Sequence, residues 1–145
     1  MENYESPLHI ISAHLAEMGI TLTSQKVVGK SSEIPALRQS LEALSAEGCM
    51  IVADALHCRR EMAALVVKKK ADYLLSVKDN QGMLKQDIKE YVQDDMLRKN
   101  MDTAQTCEKN GGRLEKRSAF VTREIDWLSS RDEWKNLGCI GAIYS

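Results

Sequence analysis

The chain has 145 residues, of which 43% are apolar and 28% charged, a composition typical of one folded domain. Twenty Lys and Arg residues balance 21 acidic ones, and the formal net charge of −1 excludes nucleic-acid binding through bulk basicity. No apolar run has transmembrane length and no signal-peptide core is present, so we predict a cytoplasmic protein.

The chain begins with patterns typical of a β-hairpin and a helix. Apolar and β-branched residues predict strands over residues 8–15 and 20–28, joined by a turn at Gly19. Leucines at helical spacing predict a helix over residues 35–44, which Gly48 ends.

A β-α-β unit follows the first helix. The apolar run Cys49–Ala55 predicts a strand buried on both faces, and Tyr73–Val77 predicts a second strand. The helix between them ends in Lys68–Lys70, which we interpret as a solvated helix end, with nucleic-acid contact as the alternative. A strand, a helix and a strand within about 30 residues predict parallel, neighbouring strands.

The second half of the chain changes from helix to strand. Its patterns predict, in order, a long amphipathic helix over 83–98, two strands over 104–109 and 113–122 around the turn Asn110–Gly112, a short helical connector over 125–134 and a last apolar strand over 139–144.

Asp54 stands at the end of the first parallel strand. Open α/β sheets bind ligands at the carboxyl ends of their strands, so Asp54 is a candidate for metal or phosphate chemistry. The alternative is that its side chain caps the next helix. The segment Lys78–Gly82 follows the second strand and is expected at the same sheet edge, which favours a site. His57 is either a polar side chain on the surface or a group that assists a metal or phosphate.

Known catalytic motifs are absent. The chain has no G-x-G-x-x-G, P-loop, H-E-x-x-H or G-x-S-x-G pattern, and its four cysteines lack zinc spacing, which favours reduced and mostly buried thiols. One Asp does not bind Mg²⁺ tightly, and two-ion phosphoryl transfer needs carboxylates from separate elements. Asp79 and Glu115 are the other candidates, each with a structural or solvent-facing role as the alternative.

Several segments stand in a recognisable order: Ser6–Ala13, Lys30–Pro35, Asp54–Ala55, Asp72–Gln81, Gly112–Arg117, Ile125–Leu128 and Ile140–Gly141. Together they resemble the insertion-sequence DDE transposases known as H-repeat-associated proteins. The resemblance covers nearly the whole chain, from Ser6 to Ile143.

The resemblance implies an α/β fold with an RNase H-like mixed sheet and an inserted β-hairpin region. It also implies DNA cleavage and joining with two Mg²⁺ or Mn²⁺ ions held by two Asp and one Glu. Asp54 matches the second Asp, a catalytic metal ligand, and Glu115 is a candidate for the Glu, although a position in the inserted β-region is the alternative. The candidates for DNA contact are Lys78, Asn80, Gln81 and Arg113.

Departures from the family pattern limit what the chain is expected to do. The family's first Asp belongs to an Asp-Gly-Lys segment on the central strand, and that segment has no match here. The family's Glu belongs to a His-Trp-x-Ile-Glu-Asn segment, which also has no match. Gly111 replaces the His of a His-Gly-Arg-x-Glu segment. We therefore expect residues 1–145 to be a single partial catalytic domain, inactive alone and weak in binding ions. An uncovered sheet edge predicts self-association, with a homodimer as the simplest form.

Two other functions are alternatives to the transposase. The first is a non-catalytic DNA-binding or self-associating module. The second is a small-molecule α/β enzyme, which has only the β-α-β unit in its favour and is disfavoured by the missing phosphate loop.

Overall fold

The computed structural model describes residues 8–16, 20–28 and 33–145, and this part of the chain is an α/β protein. Its strands are β1 (Leu8–Leu15), β2 (Ile20–Val28), β3 (Met50–Ala53), β4 (Asp72–Leu75), β5 (Asp102–Asn110), β6 (Arg113–Thr122) and β7 (Ile140–Tyr144). Its helices are α1 (Glu33–Ala43), α2 (Arg60–Lys68), α3 (Gly82–Gln93) and α4 (Asp95–Arg98).

The described strands form three sheets: β1 with β2, β3 with β4, and β5 with β6 and β7. The chain divides into two compact units, Met1–Leu75 and Ser76–Ser145, and each is described by itself. The expectation of one domain stays a prediction. No helix within the described residues is long and apolar enough to cross a membrane.

The first unit opens with the predicted antiparallel hairpin. Leu8 pairs with Val28 and Leu15 with Ile20, with a register shift near Ala13. The hairpin is therefore confirmed, whereas its predicted turn at Gly19 lies outside the described residues.

Strands β3 and β4 are parallel neighbours, which confirms the β-α-β unit. Met50 lies opposite Asp72 and Ala53 opposite Leu75, so both strands end at the same edge. The inner face of this sheet packs through Ile51 and Tyr73 on a buried cluster from α1, α2 and their connections: Leu41, Ala46, Met62, Val66 and Ala71. The packing of this face anchors the two short strands to the helices.

The outer face of the β3–β4 sheet is exposed, so the prediction of a strand buried on both faces was wrong. The exposed fractions of Met50, Val52 and Leu74 are 63%, 68% and 57%. Burial alternates along both strands because α1 and α2 cover one side of the sheet. A continuous apolar run indicates a strand but does not specify how many of its faces are covered.

Lys69 joins the ends of two helices rather than standing in solvent. Its Nζ donates hydrogen bonds to the carbonyl oxygens of Glu42 at 2.6 Å and Leu44 at 3.2 Å, at the end of α1. Helix carbonyls left without intrahelical donors favour a cation at this position. The prediction of a solvated helix end therefore holds for the exposed Lys68 and Lys70 and is wrong for Lys69.

The predicted continuous helix over 83–98 is interrupted at Asp94. Helix α3 ends at Gln93, and the Asp94 carboxylate caps α4 by accepting hydrogen bonds from the backbone amides of Met96 and Leu97 at 2.8 and 3.1 Å. Asp competes well for such backbone amides, which is why it ends one helix and begins another.

The three-stranded sheet of the second unit confirms the predicted hairpin around Asn110–Gly112. Gly111 and Gly112 adopt φ angles of +56° and +84°, which this tight turn requires. Strand β7 pairs with Ser118–Thr122, so the outer part of the β5–β6 hairpin is two-stranded.

The connector between β6 and β7 was predicted to be helical, but only Arg131–Glu133 forms a single 3₁₀ turn. Buried side chains of Ile125, Leu128 and Trp134 hold this segment in place. Trp127 stacks on Tyr91 of α3, with ring centroids 4.6 Å apart and planes 5° from parallel. Tertiary packing, rather than local helix propensity, thus fixes the connector.

The cysteines are less buried than predicted. Cys58 is buried, and desolvation raises the pKa of its thiol, whereas Cys49, Cys107 and Cys139 are exposed, and none of the four forms a disulfide. The prediction of mostly buried thiols was therefore wrong: Cys107 lies on the exposed part of β5, and Cys49 and Cys139 lie in the connections just before β3 and β7.

Candidate functional site

Asp54 directly follows β3, at the edge where β3 and β4 both end. Its Oδ1 accepts a hydrogen bond of 3.1 Å from the backbone amide of Leu56, so Asp54 caps the 3₁₀ turn Ala55–His57. Asp54 is thus a cap, as one interpretation of the sequence expected, but of this single turn and not of helix α2, whose N-cap is Arg59. The side chain is nevertheless 76% exposed, and a carboxylate that caps through one oxygen keeps the other for a ligand.

His57 places an imidazole beside this carboxylate. Its Nε2 lies 3.9 Å from Asp54 Oδ1, and its side chain is only 12% exposed. The buried Nδ1 has no hydrogen-bond partner among the residues that the structure describes. Leaving such a nitrogen unpaired costs about 1–3 kcal/mol. His57 is therefore not the surface side chain that one interpretation of the sequence expected.

A divalent ion fits this position only in part. Mg²⁺ takes oxygen ligands and is often held by one or two carboxylates together with substrate phosphates. Asp54 offers one exposed carboxylate of that kind. Within the described residues, no group of three or more His, Cys, Asp or Glu side chains is placed to hold a metal ion. Asp54 thus suits an ion that completes its coordination with other donors.

Asp79 belongs to the second unit and is engaged in an ion pair. It begins the 3₁₀ turn Asp79–Gln81 before α3, and its carboxylate accepts a hydrogen bond of 2.6 Å from Lys85 Nζ. This bond and the charge of Lys85 hold the pKa of Asp79 below its usual value. These contacts favour a structural role for Asp79 over a role as a metal-binding carboxylate.

Three of the DNA-contact candidates lie next to Asp79, at the 3₁₀ turn before α3. Lys78 precedes the turn and is exposed, Asn80 is exposed, and Gln81 is half-buried before α3. Asp54 belongs to the first unit, so the expected meeting of this segment with Asp54 at one sheet edge stays a prediction.

Glu115 lies on β6, directly opposite Glu108 of β5. Its Oε2 accepts a hydrogen bond of 3.3 Å from Arg117 Nη2, which offsets the repulsion between the two facing carboxylates. Arg113 is the first residue of the same strand. The position of Glu115 within the β-hairpin agrees with the structural alternative, and its role as a third carboxylate stays a prediction.

The described residues thus define an α/β protein with an exposed carboxylate at the end of a parallel strand. A family model described as "Transposase DDE domain" matches residues 2–128, and the chain belongs to this family. The predicted resemblance to H-repeat-associated transposases is confirmed by relatives that carry this name.

Among curated proteins, one relative is the "Uncharacterized protein in dhlA 3'region" of Xanthobacter autotrophicus, 32% identical over 138 residues, which are 95% of this chain and 47% of the relative. Another is the "H repeat-associated putative transposase YhhI" of Escherichia coli (strain K12), 32% identical over 132 residues, which are 90% of this chain and 35% of the relative. The chain thus spans between a third and a half of these relatives' lengths. No solved structure matches the chain.

Two features were missed in the sequence. The Lys69 contacts join residues 25 and 27 positions apart, so no local pattern predicts them. The burial of the His57 ring was also missed. A weak signal for it was available, because His57 lies between apolar Leu56 and the small, readily buried Cys58.

Proposed function

We propose that this chain is part of the catalytic region of a DDE transposase, which cleaves and transfers DNA strands. The observation that carries the proposal is the exposed Asp54 carboxylate at the carboxyl end of a parallel strand, in a chain of the DDE family. An RNase H-like arrangement of the complete sheet and a cytoplasmic location belong to the same proposal.

Asp54 would act as a catalytic metal ligand. When bound, Mg²⁺ or Mn²⁺ neutralises charge at the scissile phosphate and lowers the pKa of the attacking water. The Leu56 amide donates a hydrogen bond to Asp54 Oδ1, and His57 Nε2 lies 3.9 Å from the same oxygen. These contacts support a carboxylate that is positioned before any ion arrives.

The polar residues after β4 would position DNA. Lys78, Asn80 and Gln81 suit contacts to phosphate and sugar oxygens, and Arg113 suits a bidentate phosphate contact. Such contacts fix the register of a protein on DNA without reading its sequence. We take DNA as the partner because the chain belongs to a transposase family.

The purified chain should bind duplex DNA without nicking it. With near-neutral net charge, we expect a dissociation constant on the order of 10–100 μM at physiological salt, weakening steeply as salt rises. We expect no Mn²⁺-dependent nicking of supercoiled plasmid, because Asp54 has no described cluster of ligands around it.

The assay is fluorescence anisotropy with a labelled duplex, followed by gel analysis of plasmid incubated with Mn²⁺. Nicking that disappears in Asp54→Ala would contradict the expected inactivity while supporting the role of Asp54. A chain that binds no DNA even at low salt would overturn DNA as its partner.

The second candidate function is self-association, which the outer face of the β3–β4 sheet favours. Parallel sheets are normally covered on both faces, and Met50, Val52 and Leu74 leave one face apolar and exposed. A second copy presents the same apolar patch, so two copies can cover each other across a two-fold axis.

Light scattering tests this association. The measurement is made at a chain concentration of tens of micromolar, with a reductant present. We expect the mass of two chains for the natural sequence and the mass of one chain for Val52→Asp, because a buried carboxylate would oppose the contact. Leu114→Asp is the matched control, since Leu114 is equally exposed but lies in the other unit. A natural chain that stays monomeric under these conditions would rule the dimer out.

A further inference from the structure

The two faces of the outer β5–β6 hairpin differ in charge. Residues directly opposite each other in an antiparallel pair share a face, and alternate residues along a strand point to opposite faces. The pairings Lys109 with Leu114 and Cys107 with Lys116 therefore place these four side chains on one face. We call this face, together with Gln105, the ribbon face.

The ribbon face carries positive charge and no carboxylate. Lys109 and Lys116 are exposed, and neither pairs with any side chain that the structure describes. Both carboxylates of this part of the hairpin, Glu108 and Glu115, lie on the opposite face, where Arg117 pairs with Glu115 and where the register also places Arg113. Segregation of this kind leaves the lysines available to an anionic partner.

We propose that the ribbon face docks on duplex DNA, with Lys109 and Lys116 at phosphates and Gln105 at sugar or base edges. A two-stranded ribbon fits the major groove of DNA, and six residues of β5 from Gln105 extend about 20 Å along it. The inference rests on the proposed function, because it takes DNA as the partner.

The chemistry of the face favours DNA over a protein partner. A protein contact of useful strength centres on large apolar or aromatic side chains, and Leu114 is the one large apolar residue on the ribbon face. Lysine and neutral polar side chains with hydrogen-bonding groups are instead those that contact phosphate, sugar and base edges.

The first test removes the two charges. In the full 145-residue chain, Lys109→Gln with Lys116→Gln should weaken binding to a labelled duplex on the order of a hundredfold at 50 mM salt. The slope of log affinity against log salt should fall by about 1.8, since each phosphate contact contributes about 0.9. The control variant, Lys89→Gln with Lys99→Gln, changes the net charge equally at exposed lysines of the same unit.

The second test uses a natural cysteine on the ribbon face. Cys107 is exposed there, whereas the exposed Cys139 lies outside the hairpin. A duplex with a disulfide-activated tether on its backbone should cross-link to a chain that keeps Cys107 and has Cys49 and Cys139 replaced by Ser. The control chain, which keeps Cys139 and has Cys49 and Cys107 replaced by Ser, should give little cross-linked product.

Each outcome decides between the two proposals. If the natural chain binds DNA and the ribbon variant matches the control in affinity and slope, the ribbon face is wrong while DNA stands as the partner. If the natural chain binds no DNA, both proposals fail. Equal competition by polyglutamate would show general anion binding and overturn docking on a duplex, and circular dichroism verifies that each variant is folded.

Discussion

Asp54→Asn should lower the affinity of the chain for Mn²⁺ at least tenfold and leave its stability nearly unchanged. The substitution removes the charge that holds the ion, because an amide oxygen is a much weaker ligand than a carboxylate for a hard cation. The amide oxygen still accepts the hydrogen bond from Leu56, since Asn caps helices about as well as Asp. The metal and capping roles of Asp54 are thereby separated.

Paramagnetic broadening measures this effect even when binding is weak. When Mn²⁺ is titrated into isotope-labelled chain, the amide resonances of residues 54–57 should broaden first. In Asp54→Asn, half of this broadening should require a much higher Mn²⁺ concentration. Asp72→Asn is the matched control, because Asp72 is an exposed carboxylate at the opposite end of the same sheet. Equal broadening in the natural chain and Asp54→Asn would contradict Asp54 as a metal ligand.

Gly141→Ala should destabilise the second unit by about 1–3 kcal/mol, the usual cost of forcing atoms into a packed site. A β-carbon at Gly141 would lie 2.4 Å from the carbonyl oxygen of Phe120 and 3.2 Å from Val121 Cγ2. Strands β6 and β7 pair at this position, so backbone must move to admit the methyl group.

Urea denaturation followed by circular dichroism gives the free energy of unfolding. Gly138→Ala is the control, because nothing lies within 4 Å of its added β-carbon. We expect that variant to stay within about 0.5 kcal/mol of the natural chain. Equal stability of both variants would mean that the β6–β7 pairing relaxes at no cost.

Much of the fold could be predicted because its signals are local. The parallel β3–β4 pair follows from two apolar runs separated by a helix, and the β5–β6 hairpin follows from Asn110–Gly112. The apolar period continued through Asp94 and predicted one helix, whereas the hydrogen bonds that the Asp94 carboxylate accepts make two. A local hydrogen bond prevailed over periodicity there.

The rest depends on contacts between distant residues. The exposure of Val52 is decided by which helices cover the sheet, and the position of Lys69 by carbonyls more than twenty residues away. The location of Asp54 was predicted correctly from the pattern of its strand. The burial of the His57 ring was not, because it depends on packing around the turn that Asp54 caps.

Both tryptophans lie in the second unit, Trp127 stacked on Tyr91 and Trp134 buried, and the first unit contains none. Indole emission therefore reports on one half of the chain alone, while circular dichroism reports on both. Comparing the two signals during denaturation separates a chain that unfolds in a single step from one whose halves melt independently. The distribution of two aromatic residues thus provides a built-in optical assay of cooperativity.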